Sequence, residues 1–175
     1  GVAGPAAVEA QDVQPRVYTP APVGVNAITL NSAFSTGGLL FDKTVPVENV
    51  DGDGHSFTPA YSRTLGVFGL SARADIAAPI VIGEWTGDVT GVVDVRGPTT
   101  AARTGFGDPV ARFALFFVGA PARSREEFTR IGKRTVVGAT VRVRVPLGQY
   151  DADRLINLGS NRWAFSPQAG VSHIA

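Results

Sequence analysis

The run Thr-Val-Val-Gly-Ala-Thr-Val-Arg-Val-Arg-Val from Thr135 to Val145 alternates strictly. As a strand it places Val137, Ala139, Val141, Val143 and Val145 on one face and Thr140, Arg142 and Arg144 on the other. Arginines on one side of a strand need water or counter-charges there. A soluble sandwich would bury the valines in a core, whereas an outer-membrane barrel would turn them to lipid and hold the arginines in a polar lumen.

Composition bears on that choice. The chain has 175 residues and is 44% hydrophobic, but no run approaches the roughly 20 consecutive apolar residues of a transmembrane helix. Its 21 glycines and 12 prolines, with many Val, Thr and Phe, favour strands and turns. Cysteine is absent, so there is neither a disulfide framework nor a thiolate metal site. Charge nearly cancels at +1, which argues against a nucleic-acid partner. Lys43 and Lys133 are the only lysines, so arginine carries most of the positive charge.

The pattern predicts an all-β, antiparallel meander of about six long strands: Val23–Ser35, Ser56–Leu65, Leu70–Ile82, Pro109–Val118, Thr135–Val145 and Trp163–Ile174. Each is about as long as a tilted membrane-crossing strand, roughly 9 to 11 residues, and longer than the usual soluble strand of about 5 or 6. Gly66-Val67-Phe68-Gly69 reads as a tight hairpin, with two glycines free to adopt positive φ. Thr36–His55, Gly83–Asp108 and Pro146–Arg162 read as long polar connections. Long and short loops thus alternate, as they do at the outer and periplasmic ends of an outer-membrane barrel. Pro46–Gly54, Gly87–Thr104 and Asp151–Asn161 are accordingly expected outside the cell. The connection Gly119–Arg134 holds Ser124-Arg125-Glu126-Glu127, a capping box followed by Phe128 and Ile131, and predicts a turn or two of helix on the periplasmic rim.

Strand faces follow the same division. Leu70, Ala72, Ala74, Ile76, Ala78 and Ile80 oppose Ser71, Arg73, Asp75 and Ala77. Phe113, Leu115 and Phe117 oppose Arg112, Ala114 and Phe116, while Trp163, Phe165 and Val171 oppose Ser166, Gln168 and Ser172. Trp163, Phe165 and Tyr150 suit the aromatic girdle at an outer interface. In the first strands Ile28, Leu30 and Phe34 suggest an outward face, but Asn26 shares it, as Arg63 shares the face of Tyr61. The lumen-lining candidates are Arg73, Asp75, Arg112, Arg142 and Arg144, read either as a bracing charge ladder or as a constriction that selects solutes.

No catalytic or cofactor-binding residue is assigned. Asp51-Gly52-Asp53-Gly54-His55 has two carboxylates and an imidazole, but the rest of a calcium-loop spacing is missing, so it reads as a solvated flexible turn. His55 and His173 lie in no nucleophile or metal motif. Asp108, Asp151 and Asp153 read as turn formers that bond nearby amides. The chain is expected to be neither an enzyme nor a metal protein. Residues 1–10 read as a leader or signal-peptide remnant, with Ala7-Val8-Glu9-Ala10 fitting cleavage after Ala10, and 11–175 as one barrel domain.

Specific motifs add a resemblance. Pro15-Arg16-Val17-Tyr18 is followed by Ala21-Pro22-Val23-Gly24-Val25-Asn26, then by Arg103-Thr104-Gly105-Phe106-Gly107-Asp108-Pro109. Next come Val145-Pro146-Leu147-Gly148-Gln149-Tyr150-Asp151 and Leu155-Ile156-Asn157-Leu158-Gly159-Ser160-Asn161-Arg162-Trp163. In these the chain resembles the transporter family named for the meta-pathway of phenol degradation, outer-membrane β-barrels of Gram-negative bacteria. The motif residues carrying the likeness in the loops are Gly105, Gly107, Asp108, Pro109, Pro146, Gly148, Tyr150, Asn157, Gly159, Asn161, Arg162 and Trp163. The resemblance implies a passive channel for small aromatic or hydrophobic compounds, with membrane lipid and the barrel-assembly machinery as partners and no cofactor. Family members run past the point matching Ala175, so the chain is expected to be the N-terminal portion of a barrel whose further strands lie beyond it. The alternatives are a structural or adhesive barrel without transport and a soluble periplasmic barrel holding an apolar ligand.

Overall fold

The computed structural model describes residues 19–39, 47–89, 98–129, 132, 134–154 and 156–174. They form one antiparallel sheet with a single short helix. In chain order the elements are β1 (Asn26–Leu39), β2 (Val47–Val67), β3 (Leu70–Ala77), β4 (Ile80–Val89), β5 (Pro98–Phe106), β6 (Val110–Val118), α1 (Arg125–Phe128), β7 (Arg134–Arg144) and β8 (Ala164–Ile174). The proposed leader and the Pro15–Tyr18 motif lie outside the described residues.

Eight strand segments amount to six long runs, because β3 with β4 and β5 with β6 are each one strand interrupted at proline. Residues 60–67 of β2 pair with β3 and residues 47–57 with β4, and the register carries straight across Ala78-Pro79. Pro79 and Pro109 have no N–H to give the ladder, so each breaks it locally. Ala78 nevertheless donates its N–H to the Pro59 carbonyl at 3.1 Å, which keeps the strand in line. β6 then pairs with β7 and β7 with β8, completing a meander between sequence neighbours.

Two of the expected long loops are mostly strand. β1 runs to Leu39 and β2 starts at Val47, while β4 runs to Val89 and β5 starts at Pro98. Polar side chains on both faces of these extensions hid their period, since neither face is a continuous apolar stripe. The Asp51–His55 segment is therefore part of β2 and not a flexible turn. Among the described residues, the connection from Val145 to Trp163 carries no strand.

The hairpin between β2 and β3 is tighter than expected. Val67 pairs with Leu70, leaving Phe68 and Gly69 as the turn with φ of 50° and 76°. Positive φ at both centres is the type I′ geometry that matches strand twist. Gly66, expected in the turn, lies within β2 instead, and Phe68 takes the left-handed position while almost fully exposed. That conformation costs an L-residue of this kind roughly 1–2 kcal/mol, and asparagine tolerates it better. Phe68→Asn is thus expected to stabilise the fold by about 1 kcal/mol. A urea midpoint that fails to rise would contradict the turn assignment.

The faces of the sheet are the reverse of those in a water-soluble domain. One face carries Ile28, Leu30, Phe34, Phe57, Tyr61, Ile76, Ile82, Phe106, Phe113, Val141, Phe165 and Val171, all exposed, with Ile28 at 83% and Leu30 at 71%. The other carries Ser, Thr, Gly, Arg and Asp, and most of the buried residues lie there, including Thr64, Ser71 and Thr140. The odd polar residues of the apolar face meet each other: Asn26 pairs across from Arg63, and Tyr61 Oη donates to Asn26 Oδ1 at 2.7 Å.

The small core sits at the Phe68-Gly69 end of the polar face. Gly119–Ser124 crosses this end, with Ser71 N donating to Ala120 O and Ala122 N to Gly69 O, and Ala114, Phe116, Ala120 and Val136 bury one another beside it. Val23 N donates to Arg123 O, tying the incoming chain to the same crossing. The capping box forms as predicted: Glu127 N donates to Ser124 Oγ and Ser124 N to Glu127 Oε2. Phe128 stacks under the Arg134 guanidinium, 5.1 Å from ring centroid to Cζ, while Ile131 lies outside the described residues.

Candidate functional site: the polar face and its docked loop

All five lumen-lining candidates project from the polar face. Arg73 aligns with Ala114, Thr140 and Gln168 across successive strands, and Asp75 with Arg112, Arg142 and Ser166. Arg144 lies one pair farther along, beside Val110 and Ala164. Asp75 Oδ2 accepts from Arg112 Nε at 2.9 Å and from Arg73 Nε at 3.2 Å. A single carboxylate thus sits between two guanidiniums that are only about a fifth exposed, which lowers the repulsion of the arginine-rich row. Arginine suits this role because its planar fork holds charge and direction together.

Farther along the same face, the connection after β7 folds back onto the sheet. Val145 N continues the ladder to Pro109 O, and Gln149 N then reaches Phe106 O at 2.9 Å. Between them the chain bulges, and the Asp108 carboxylate holds the bulge. Its Oδ1 accepts from Gly148 N at 2.9 Å, and its Oδ2 accepts from Ser160 N at 2.8 Å and Ser160 Oγ at 2.6 Å. Three charge-assisted bonds on one buried carboxylate fasten both ends of the loop to the β5–β6 junction. Gly159 N closes the loop on Gln149 O, and Asp151 with Asn157 braces its interior through Asp151 N to Asn157 Oδ1 and Asn157 Nδ2 to Asp151 O.

Glycine lets the backbones come close where these segments touch. A β-carbon on Gly105 would lie within the Gln149 side-chain amide, one on Gly148 would meet Asp108 N at 2.7 Å, and one on Gly159 would meet the Gly148 backbone at 2.6 Å. Gly107 has slightly more room, between Pro79 at 3.0 Å and the Leu158 carbonyl at 3.3 Å. Arg103, also on the polar face, donates Nε to Ile156 O at 3.4 Å. The loop therefore lies against the polar face of β5, over Arg103 and Gly105.

The comparisons meet this geometry. A family model described as "Putative MetA-pathway of phenol degradation" matches residues 31–174. The chain belongs to this family. No curated protein and no solved structure matches it. The match takes in all the loop motifs, and the structure brings them to one place: Gly105 meets Gln149, Gly107 meets Leu158, Asp108 meets Gly148 and Ser160, and Pro109 meets Val145. Asn161 turns the chain at φ 49°, and Trp163 leaves the loop to stack on Phe165 with centroids 6.2 Å apart. Tyr150 and Arg162 are exposed.

Sequence reasoning took Asp108 for a local turn former, and the structure corrects this. Its partners are 40 and 52 residues away, because the adjacent glycines let two other backbones approach within bonding distance. Asp151 does act locally, accepting from Asp153 N and pairing with Arg154. Ser160, Gln149 and Arg103 were not singled out, although the recurrence of glycine in each motif was a sign of close backbone approach. Also missed was Trp85, whose indole covers Gly52 and Gly83 on the polar face; a β-carbon at either glycine would fall inside its ring system. Asp51, Asp53 and His55 emerge on the opposite face, with Glu84 directly across from Asp53. Among the described residues no group of His, Asp and Glu is arranged to hold a metal.

Proposed function

We propose that this chain is part of an outer-membrane β-barrel that passes small solutes by diffusion, and that its family's link to phenol degradation points to aromatic or hydrophobic compounds. The observation that carries the proposal is the inversion of faces: large apolar side chains are exposed while Ser, Thr, Arg and Asp line the protected side. In water such a face would be a strong aggregation liability; against lipid tails it is the favoured arrangement. A ligand-binding soluble barrel would need the opposite lining, so that alternative has less support. No described helix is long and apolar enough to cross a membrane, which leaves the strands to do so.

Strand tilt supports the same reading. Ile28, Tyr61, Ile76, Ala111, Val143 and Phe165 form one hydrogen-bonded row. In β1 this row is the bottom of the apolar band, which continues up to Phe34. At β8 it is near the top, and the band continues down to Val171. The band therefore slips by about one residue per strand, and with a rise of about 3.3 Å against a spacing of about 4.8 Å the strands tilt by about 35° to it. Barrel strands tilt by a similar amount.

Tryptophan fluorescence gives a direct test, since the chain has only Trp85 and Trp163. Trp163 belongs to the apolar face and Trp85 to the polar one. After refolding into vesicles, brominated lipid is expected to quench a Trp85→Phe variant strongly and a Trp163→Phe variant weakly. Equal quenching, or none in either, would refute the lipid-facing assignment.

A further inference from the structure

We propose that the connection after β7 is an inner constriction loop: its arms Val145–Arg154 and Ile156–Trp163 dock on the polar face of β5 through Asp108, and this docked position sets the size limit for solutes. The inference deepens the channel reading and rests on it. By sequence the segment looked like an external loop. Its contacts place it differently, because Arg103 and Gly105 project from the polar face and both meet it, at Ile156 O and Gln149 respectively.

The construction is that of a fixed part. Asp108 and Gly159 are buried, the carboxylate receives three bonds, and β-carbons on Gly148 and Gly159 would fall within about 2.7 Å of backbone atoms. Removing the Asp108 side chain would leave the N–H groups of Gly148 and Ser160 without their acceptor, so the loop would lose its hold at both ends. The arginine row lies farther along the same face, toward the Phe68-Gly69 turn. A solute entering from the loop end would therefore meet the size limit at the loop before the charged row.

Two experiments on the refolded full chain separate position from role. The Gln149 Cδ lies 2.3 Å from where a Gly105 β-carbon would stand. Cysteines replacing both residues would then have β-carbons near the range for a disulfide, about 3.5–4.5 Å. The Gly105→Cys/Gln149→Cys pair is expected to oxidise readily within one chain, with no background because the native sequence has no cysteine. Failure to cross-link in a protein that folds would overturn the docked position.

Single-channel conductance then tests the role. Asp108→Ala is expected to raise conductance severalfold and to admit larger uncharged solutes, whereas the oxidised cysteine pair combined with Asp108→Ala should return toward the native value. Should Asp108→Ala unfold the chain, Ser160→Ala removes one bond and should widen the pore to a smaller extent. Conductance unchanged by these substitutions would overturn the constriction. If no variant conducts although the cross-link forms, the channel reading fails and the constriction with it, while the loop keeps its place.

Discussion

Val141→Arg is expected to destabilise the protein in lipid vesicles by about 2–4 kcal/mol, the cost of an arginine facing hydrocarbon near the bilayer midplane of a barrel. Val141 stands on the apolar face directly between Phe113 and Pro167 and is 42% exposed. Gln168→Arg is the matching control on the polar face of β8, where the native residue is exposed and its cross-strand partner is the uncharged Thr140, and it should be nearly neutral. Thr140 would be a poor control despite its place on the polar side. It is 4% exposed and its hydroxyl has no hydrogen-bond partner, so a long side chain there would have to displace packed neighbours. Urea titrations of the refolded variants measure both substitutions, and equal tolerance of Val141→Arg and Gln168→Arg would overturn the assignment of faces.

Reversing charge at Arg142 and Arg144 is expected to move ion selectivity toward cations. On the polar face Arg73, Arg103, Arg112, Arg134, Arg142 and Arg144 outnumber Asp75 and Asp108, and Asp75 is already engaged by two of the arginines. The described wall is therefore net positive and should favour anions. Arg142→Glu with Arg144→Glu would cancel that excess and move selectivity toward cations. The shift should fade at high salt, because the Debye length falls from about 10 Å at 0.1 M to about 3 Å at 1 M. Reversal potentials across a planar bilayer under a salt gradient check this directly, and selectivity unaffected by the double substitution would place these arginines away from the ion path.

Strand faces were legible in the sequence wherever an apolar stripe alternates with polar residues, because a period of two is built into extended backbone. This held for β3, β6, β7 and β8, and it placed Arg73, Asp75, Arg112, Arg142 and Arg144 on one face. The strand extensions carrying Asp51–His55 and Gly83–Asp88 were not legible. Their outward residues include Asp53 and Glu84 while their inward ones include glycine, so neither face shows a hydrophobic stripe. Trp85 supplies what those glycines lack, by lying across Gly52 and Gly83 on the neighbouring positions of the sheet.

The sequence alone determined an all-β meander, its faces, its helix cap and its family, since each depends on local spacing or on motifs within one segment. Tertiary structure decided where the motifs meet. The grip of Asp108 on Gly148 and Ser160 joins residues 40 and 52 positions apart. Neither an aspartate before a proline nor a glycine in a loop states which distant backbone it will admit. Only the register of β6 with β7, which returns the chain to the edge of β5 just as β7 ends, brings that carboxylate and those N–H groups within hydrogen-bonding distance.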